Sequence, residues 1–88
     1  MIIAKVIGNV WATRKEETMK GQKLLILKQV DENKNLIGKA FVAVDNIGAG
    51  MGEYVIVTTG SSARKVSDEF IPIDAAVIGI VDSMDIIS

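Results

Sequence analysis

The sequence predicts an all-β domain, a small five-stranded barrel with at most one short helix. Three observations predict it. Apolar runs of strand length (IIAKVIGNV, KLLILKQV, IGKAFVAV, EYVIVTT and AAVIGIV) recur with turn residues between them. Strict alternation fails in Leu24–Leu27 and Val77–Val81, which are apolar on both faces, the mark of strands buried on both sides. A barrel fills its interior with one face of each strand, so the other face must meet a helix or another subunit. The chain has too little helix for the first, and a second copy is the expected neighbour.

Each element follows from local chemistry. Ile2 to Val10 reads as the first strand, with Ile3, Lys5 and Ile7 on one face and Ile2, Ala4 and Val6 on the other. Gly8 within it predicts a bulge or a close backbone approach. Trp11 to Gln22 is charged and polar and reads as a connecting loop. Lys23 to Val30 forms the second strand. Asp31 to Asn35, DENKN, turns the chain with residues that tolerate turn geometry, and Ile37 to Val44 returns as the third strand. Asp45 to Gly52 is a glycine connection, followed by a fourth strand over Glu53 to Thr59. Gly60 to Phe70 has room for one short helix with Ser61 or Ser62 as its N-cap. Pro72 leads into the fifth strand, Ala75 to Val81, and Asp82 to Ser88 is a tail, expected to be available as a short interface strand.

The chain of 88 residues makes one domain, and a domain this small buries roughly 60–65% of the surface its unfolded chain exposes. Yet 49% of its residues are apolar and its mean hydropathy is +0.34. Each large aliphatic side chain left in water forgoes about 1.5–3 kcal/mol, so self-association is expected. The apolar runs fall far short of the ~20 residues of a membrane-spanning helix. The N-terminus has Lys5 inside its apolar run and no basic leader before it, so it reads as a strand and the expected location is cytoplasmic.

Most chemistry is excluded by composition. Without histidine or cysteine there is no Ser-His-Asp triad, no disulfide and no imidazole or thiolate metal site. Ten basic against eleven acidic residues leave a net charge of −1, a weak footprint for nucleic acid. Ser62-Ala-Arg-Lys65 matches a bare Ser-x-x-Lys pattern without its partner motifs, and a turn or cap role is preferred. Gly48, Gly50 and Gly52 suggest a phosphate loop, but Glu53 takes the third glycine position and the segment joins two strands. These glycines are read as backbone requirements, through positive φ or close contact. Asp45, Glu53, Asp74 and Asp82 lie near strand ends. Asp45 and Asp74 are read as capping residues, and Glu53 and Arg64 as an ion pair within or between subunits. No catalytic, cofactor or metal site is expected. The alternative function for such a barrel is binding of single-stranded nucleic acid or oligosaccharide. It is disfavoured because the four aromatics, Trp11, Phe41, Tyr54 and Phe70, form no basic-aromatic cluster. Trp11 is instead read as an anchor at a subunit contact.

Three blocks carry a resemblance. Ala43-Val-Asp-Asn-Ile-Gly-Ala-Gly-Met-Gly-Glu53, Gly60-Ser-Ser-Ala-Arg64 and Asp74-Ala-Ala-Val-Ile-Gly-Ile-Val-Asp82 resemble the EutN/CcmL family of bacterial microcompartment vertex proteins. The opening Val6 to Lys15 and Gly21 to Ile26 are similar as well, whereas some relatives continue past the last strand. The resemblance implies a five-stranded OB-like barrel and a cyclic homopentamer that caps the vertices of a polyhedral shell tiled by hexameric proteins. That role is geometric and not enzymatic. It would give Asp45, Gly48, Gly50, Gly52, Glu53, Gly60, Ser61, Ser62, Arg64 and Asp74 structural or assembly roles.

Overall fold

The computed structural model describes residues 1–11, 21–60, 63 and 74–87. Among them are five strands and no α-helix: β1 (Ile2–Val10), β2 (Lys23–Gln29), β3 (Phe41–Asp45), β4 (Tyr54–Thr59) and β5 (Ala75–Ile80). They close into a barrel in the order β1-β2-β3-β5-β4, the OB-like arrangement. All neighbours are antiparallel except β3 and β5, which pair in parallel through Val44 with Ala76 and Asp45 with Val77. β1 is long enough to serve two partners, β4 through Ile2–Lys5 and β2 through Ala4–Val10. Closure gives each described strand a neighbour on both sides, which matters for an apolar chain that would otherwise aggregate through its edges.

The period of two decides the interior. Ala4, Val6, Leu25, Leu27, Ala43, Val55, Val57 and Val77 are buried and pack as one cluster, joined by Ala49 from the glycine connection. Of the two faces expected for β1, the one bearing Ala4 and Val6 points inward. The second face of the doubly apolar β2 is also used. Leu24 packs with Val44, Ala76 and Ala63 into a smaller cluster outside the barrel wall.

The third strand is shorter than expected. Ile37 to Ala40 lie outside it, because Gly38 takes φ +74° and breaks the extended run. The hairpin is held instead by the Val30–Leu36 bridge and by the Ile37 amide on the Gln29 carbonyl at 2.8 Å. The turn at Asp31 to Asn35 forms as expected, with the Asp31 carboxylate accepting the amides of Asn33 at 2.8 Å and Asn35 at 2.9 Å. β4 and β5 begin and end within one residue of their expected limits. The candidate helix over Gly60 to Phe70 falls almost wholly outside the described residues, as does most of the loop after Trp11.

Candidate assembly surface

The glycine connection is organised by two carboxylates that the chain itself supplies. Asp45, 3% exposed at the end of β3, accepts three backbone amides: Ile47 at 2.9 Å and Gly48 at 3.1 Å on Oδ1, and Ala49 at 2.7 Å on Oδ2. Lys23 adds an ammonium 3.8 Å from Oδ2 and donates to the Ala49 carbonyl at 3.1 Å. At the far end of the loop the Gly50 amide donates to Glu53 Oε1 at 2.6 Å. Backbone bonds then fasten the loop to β1, from the Gly52 amide to the Val6 carbonyl and from the Val6 amide to the Glu53 carbonyl, both 2.9 Å.

This geometry removes the phosphate-loop reading on physical grounds. A phosphate cradle needs backbone amides pointing at an empty space. Here the amides of Ile47, Gly48, Ala49 and Gly50 already point at the protein's own carboxylates. The glycines divide into two kinds. Gly48 and Gly52 have φ of +96° and +82°, which L side chains adopt with strain. Gly50 does not have positive φ, so of the two causes expected for these glycines only close contact applies to it. A Cβ there would stand 3.1 Å from Glu53 Oε1, so the carboxylate that accepts the Gly50 amide would have to shift to admit it.

The remaining expected residues are dispersed. Gly60, with φ +71°, donates its amide to the Asp74 carbonyl at 2.7 Å, so this pair joins the end of β4 to the start of β5. Asp74 therefore contributes its backbone to this contact. Ser61, Ser62 and Arg64 lie outside the described residues, and Ala63 between them is fully buried. Among the described residues no three His, Cys, Asp or Glu side chains converge as a metal site. No described helix is long and apolar enough to cross a membrane.

The outer wall holds a feature that the sequence reading only half anticipated. The register of β1 against β2 slips between Val6 and Gly8, leaving Ile7 as the extra residue of a bulge. The register of β5 against β4 slips in the same way between Val77 and Gly79, leaving Ile78 unpaired. Both bulges are the tripeptide Val-Ile-Gly. The valine is buried inside the barrel, and the isoleucine stands exposed, at 40% for Ile7 and 38% for Ile78. In both, an isoleucine of the adjacent strand lies over the glycine: Ile26 over Gly8 and Ile56 over Gly79, with Cδ1 atoms 3.3 and 3.7 Å from where a Cβ would be. Gly8 was legible as a bulge. Gly79 was not singled out, although the repeated tripeptide was there to be read.

Comparison with known proteins agrees with this architecture. A family described as ethanolamine utilisation protein EutN/carboxysome matches residues 1–82. The chain belongs to the EutN/CcmL family. A microcompartment shell vertex protein of this family, GrpN of Rhodospirillum rubrum, is 45% identical, with the alignment covering 100% of both chains. Its solved structure, a pentameric microcompartment shell protein, superimposes with a TM-score of 0.90 over 100% of both chains. The carboxysome shell vertex protein CcmL of Nostoc sp. is 47% identical over 98% of this chain and 87% of its own. The shell vertex protein EutN of Escherichia coli is 42% identical over 96% and 90%. These EutN/CcmL relatives are shell vertex proteins. The structure does bring the ammonium groups of Lys5 and Lys34 over the Tyr54 ring at 5.8 and 5.1 Å, a basic-aromatic contact that the sequence reading did not expect.

Proposed function

We infer that this chain is a structural shell protein that caps the vertices of a polyhedral bacterial microcompartment in the cytoplasm, working as a cyclic homopentamer. The observation that carries the reading is the full-length match to a pentameric shell protein, in sequence and in barrel geometry. The rest of the molecule is consistent with it. The loop that most resembles a ligand cradle is filled by Asp45 and Glu53, and the outer wall carries exposed Ile7, Val42 and Ile78.

The role is geometric and not catalytic. A lattice of hexameric shell proteins is flat, and closing it into a polyhedron needs five-fold points. The partners are therefore other copies of this chain around the ring and hexameric shell proteins at its rim.

The mass of the assembly tests the reading. Native mass spectrometry is expected to give about five times the 9.4 kDa of the chain. A stable monomer at micromolar concentration would overturn it.

A further inference from the structure

Positive charge is concentrated at one place on the outer wall. The register sets Lys28, Lys5 and Tyr54 side by side across β2, β1 and β4. Their chain neighbours Leu27, Ala4, Val6 and Val55 fill the interior, so alternation turns these three side chains outward. Another lysine reaches the same place from the hairpin between β2 and β3. Its ammonium, that of Lys34, stands 5.1 Å from the centre of the Tyr54 ring, and that of Lys5 stands 5.8 Å from it.

Two features of this patch work against the stability of the isolated chain. Lys5 and Lys28 are directly opposite each other, and like charges in that relation destabilise a strand pair. Lys34 takes φ of 65°, a left-handed conformation better suited to glycine or asparagine, although asparagines stand on either side of it in the turn. Nearby carboxylates are engaged elsewhere. Asp31, in the same turn as Lys34, accepts the backbone amides of Asn33 and Asn35 and the side-chain amide of Asn35. Glu53, next to Tyr54, accepts the Gly50 amide. Among the described residues an ion pair joins Lys23 to Asp45 at the other end of β2, and none joins Lys5, Lys28 or Lys34 to a described carboxylate.

We propose that this patch is a docking surface for a carboxylate-rich segment of another protein. Lys5, Lys28 and Lys34 meet its acidic side chains, and Tyr54 is the platform that holds two of the ammonium groups in place. Charge complementarity selects the occupant. A net charge of −1 leaves no surplus of basic residues to track a nucleic-acid backbone, whereas a short acidic segment meets the patch alone. The barrel is closed along this wall, so recognition runs through side chains and not through an added strand. The assignment goes beyond the vertex reading and does not depend on it.

The test uses the full chain at low ionic strength with a fluorescent oligoglutamate peptide as the probe. The peptide is expected to bind, to shift the Tyr54 ring resonances in NMR spectra, and to be released as salt is raised. Lys5→Gln, Lys28→Gln and Lys34→Gln combined are expected to weaken binding about tenfold and to leave the mass of the native assembly unchanged. The same three positions changed to arginine keep the charge and are expected to keep the binding. Lys28→Gln and Lys23→Gln alone remove equal charge from opposite ends of β2, and only the first is expected to weaken the complex. The proposal is overturned if the peptide does not bind, if the glutamine variant binds it as well as the unaltered chain, or if Lys23→Gln loses as much as Lys28→Gln. Tighter binding of oligothymidylate through the same lysines would make the occupant a nucleic acid and overturn it as well. So would loss of the native assembly in the glutamine variant, which would make the occupant a second copy of this chain.

Discussion

The buried amide of Ala49 donates to Asp45 Oδ2 across 2.7 Å, and this bond ties the glycine connection to the end of β3. Ala49 is thereby set into the barrel core as a plug at the loop end. One carboxylate thus serves packing and polar satisfaction together.

Replacing Asp45 with alanine should cost about 3 kcal/mol. It leaves the Ala49 amide buried without an acceptor and the Ile47 and Gly48 amides without theirs. Asp45→Asn should fall between, because its oxygen can still serve Ile47 and Gly48 while its amide group meets the Ala49 donor. Guanidinium midpoints at one fixed protein concentration check the order of the three proteins.

Lys23 should matter far less, although it stands beside the same carboxylate. Its side chain is half exposed and its ammonium is 3.8 Å from Oδ2, a geometry worth under about 1 kcal/mol. Lys23→Met should shift the same midpoint only slightly. A loss comparable to that of Asp45→Ala would mean that Asp45 depends on its counterion rather than on the amides.

The glycines should separate by mechanism. Gly48→Ala imposes a left-handed conformation on an L side chain and should cost about 1–2 kcal/mol, partly relieved by Gly48→Asn. Gly50→Ala should instead be sensitive to its neighbour, since the new methyl would press on Glu53 Oε1. A double-mutant cycle with Glu53→Ala should show coupling at position 50 and none at position 48. Equal coupling at both would contradict the distinction.

The sequence carried most of the barrel and only part of the assembly surface. Strand positions were legible because β-branched runs alternate with turn residues, and Asp45 was legible as a cap because aspartate at a strand end has amides within reach. The late start of β3 is missed because Ile37 to Phe41 reads as one extended run, and nothing in composition tells that Gly38 takes positive φ. The cause at Gly50 stays open in the sequence, between positive φ and close contact, for a related reason. A glycine does not reveal whether its dihedral or its missing methyl is needed. The second bulge, at Ile78, is not read from the sequence although Gly79 repeats the Val-Ile-Gly of the first, because a glycine in a strand does not by itself say whether the register slips there.

The Asp31 turn gives a pH signature. The amides of Asn35 and Asn33 bond to its carboxylate and hold its pKa below the usual aspartate value, against a smaller opposing effect of desolvation. A depressed folded pKa contributes stability that is present above the unfolded value and lost as pH falls through the folded one. Acid titration by NMR should therefore find the Asn33 and Asn35 amide shifts moving together below the normal carboxylate range. The Asp31→Asn variant should lack that transition.

The account's central claim is that this chain closes a shell, and closure is measured directly by co-expression. The chain is produced with the hexameric shell proteins of its own compartment and a fluorescent cargo, with a parallel preparation that omits it. With the chain present, microscopy is expected to show closed polyhedral bodies that retain cargo. Without it, the same proteins are expected to give open, leaky or elongated assemblies, because hexamers alone provide no five-fold points. Bodies that are equally closed and equally retentive in both preparations would contradict the claim.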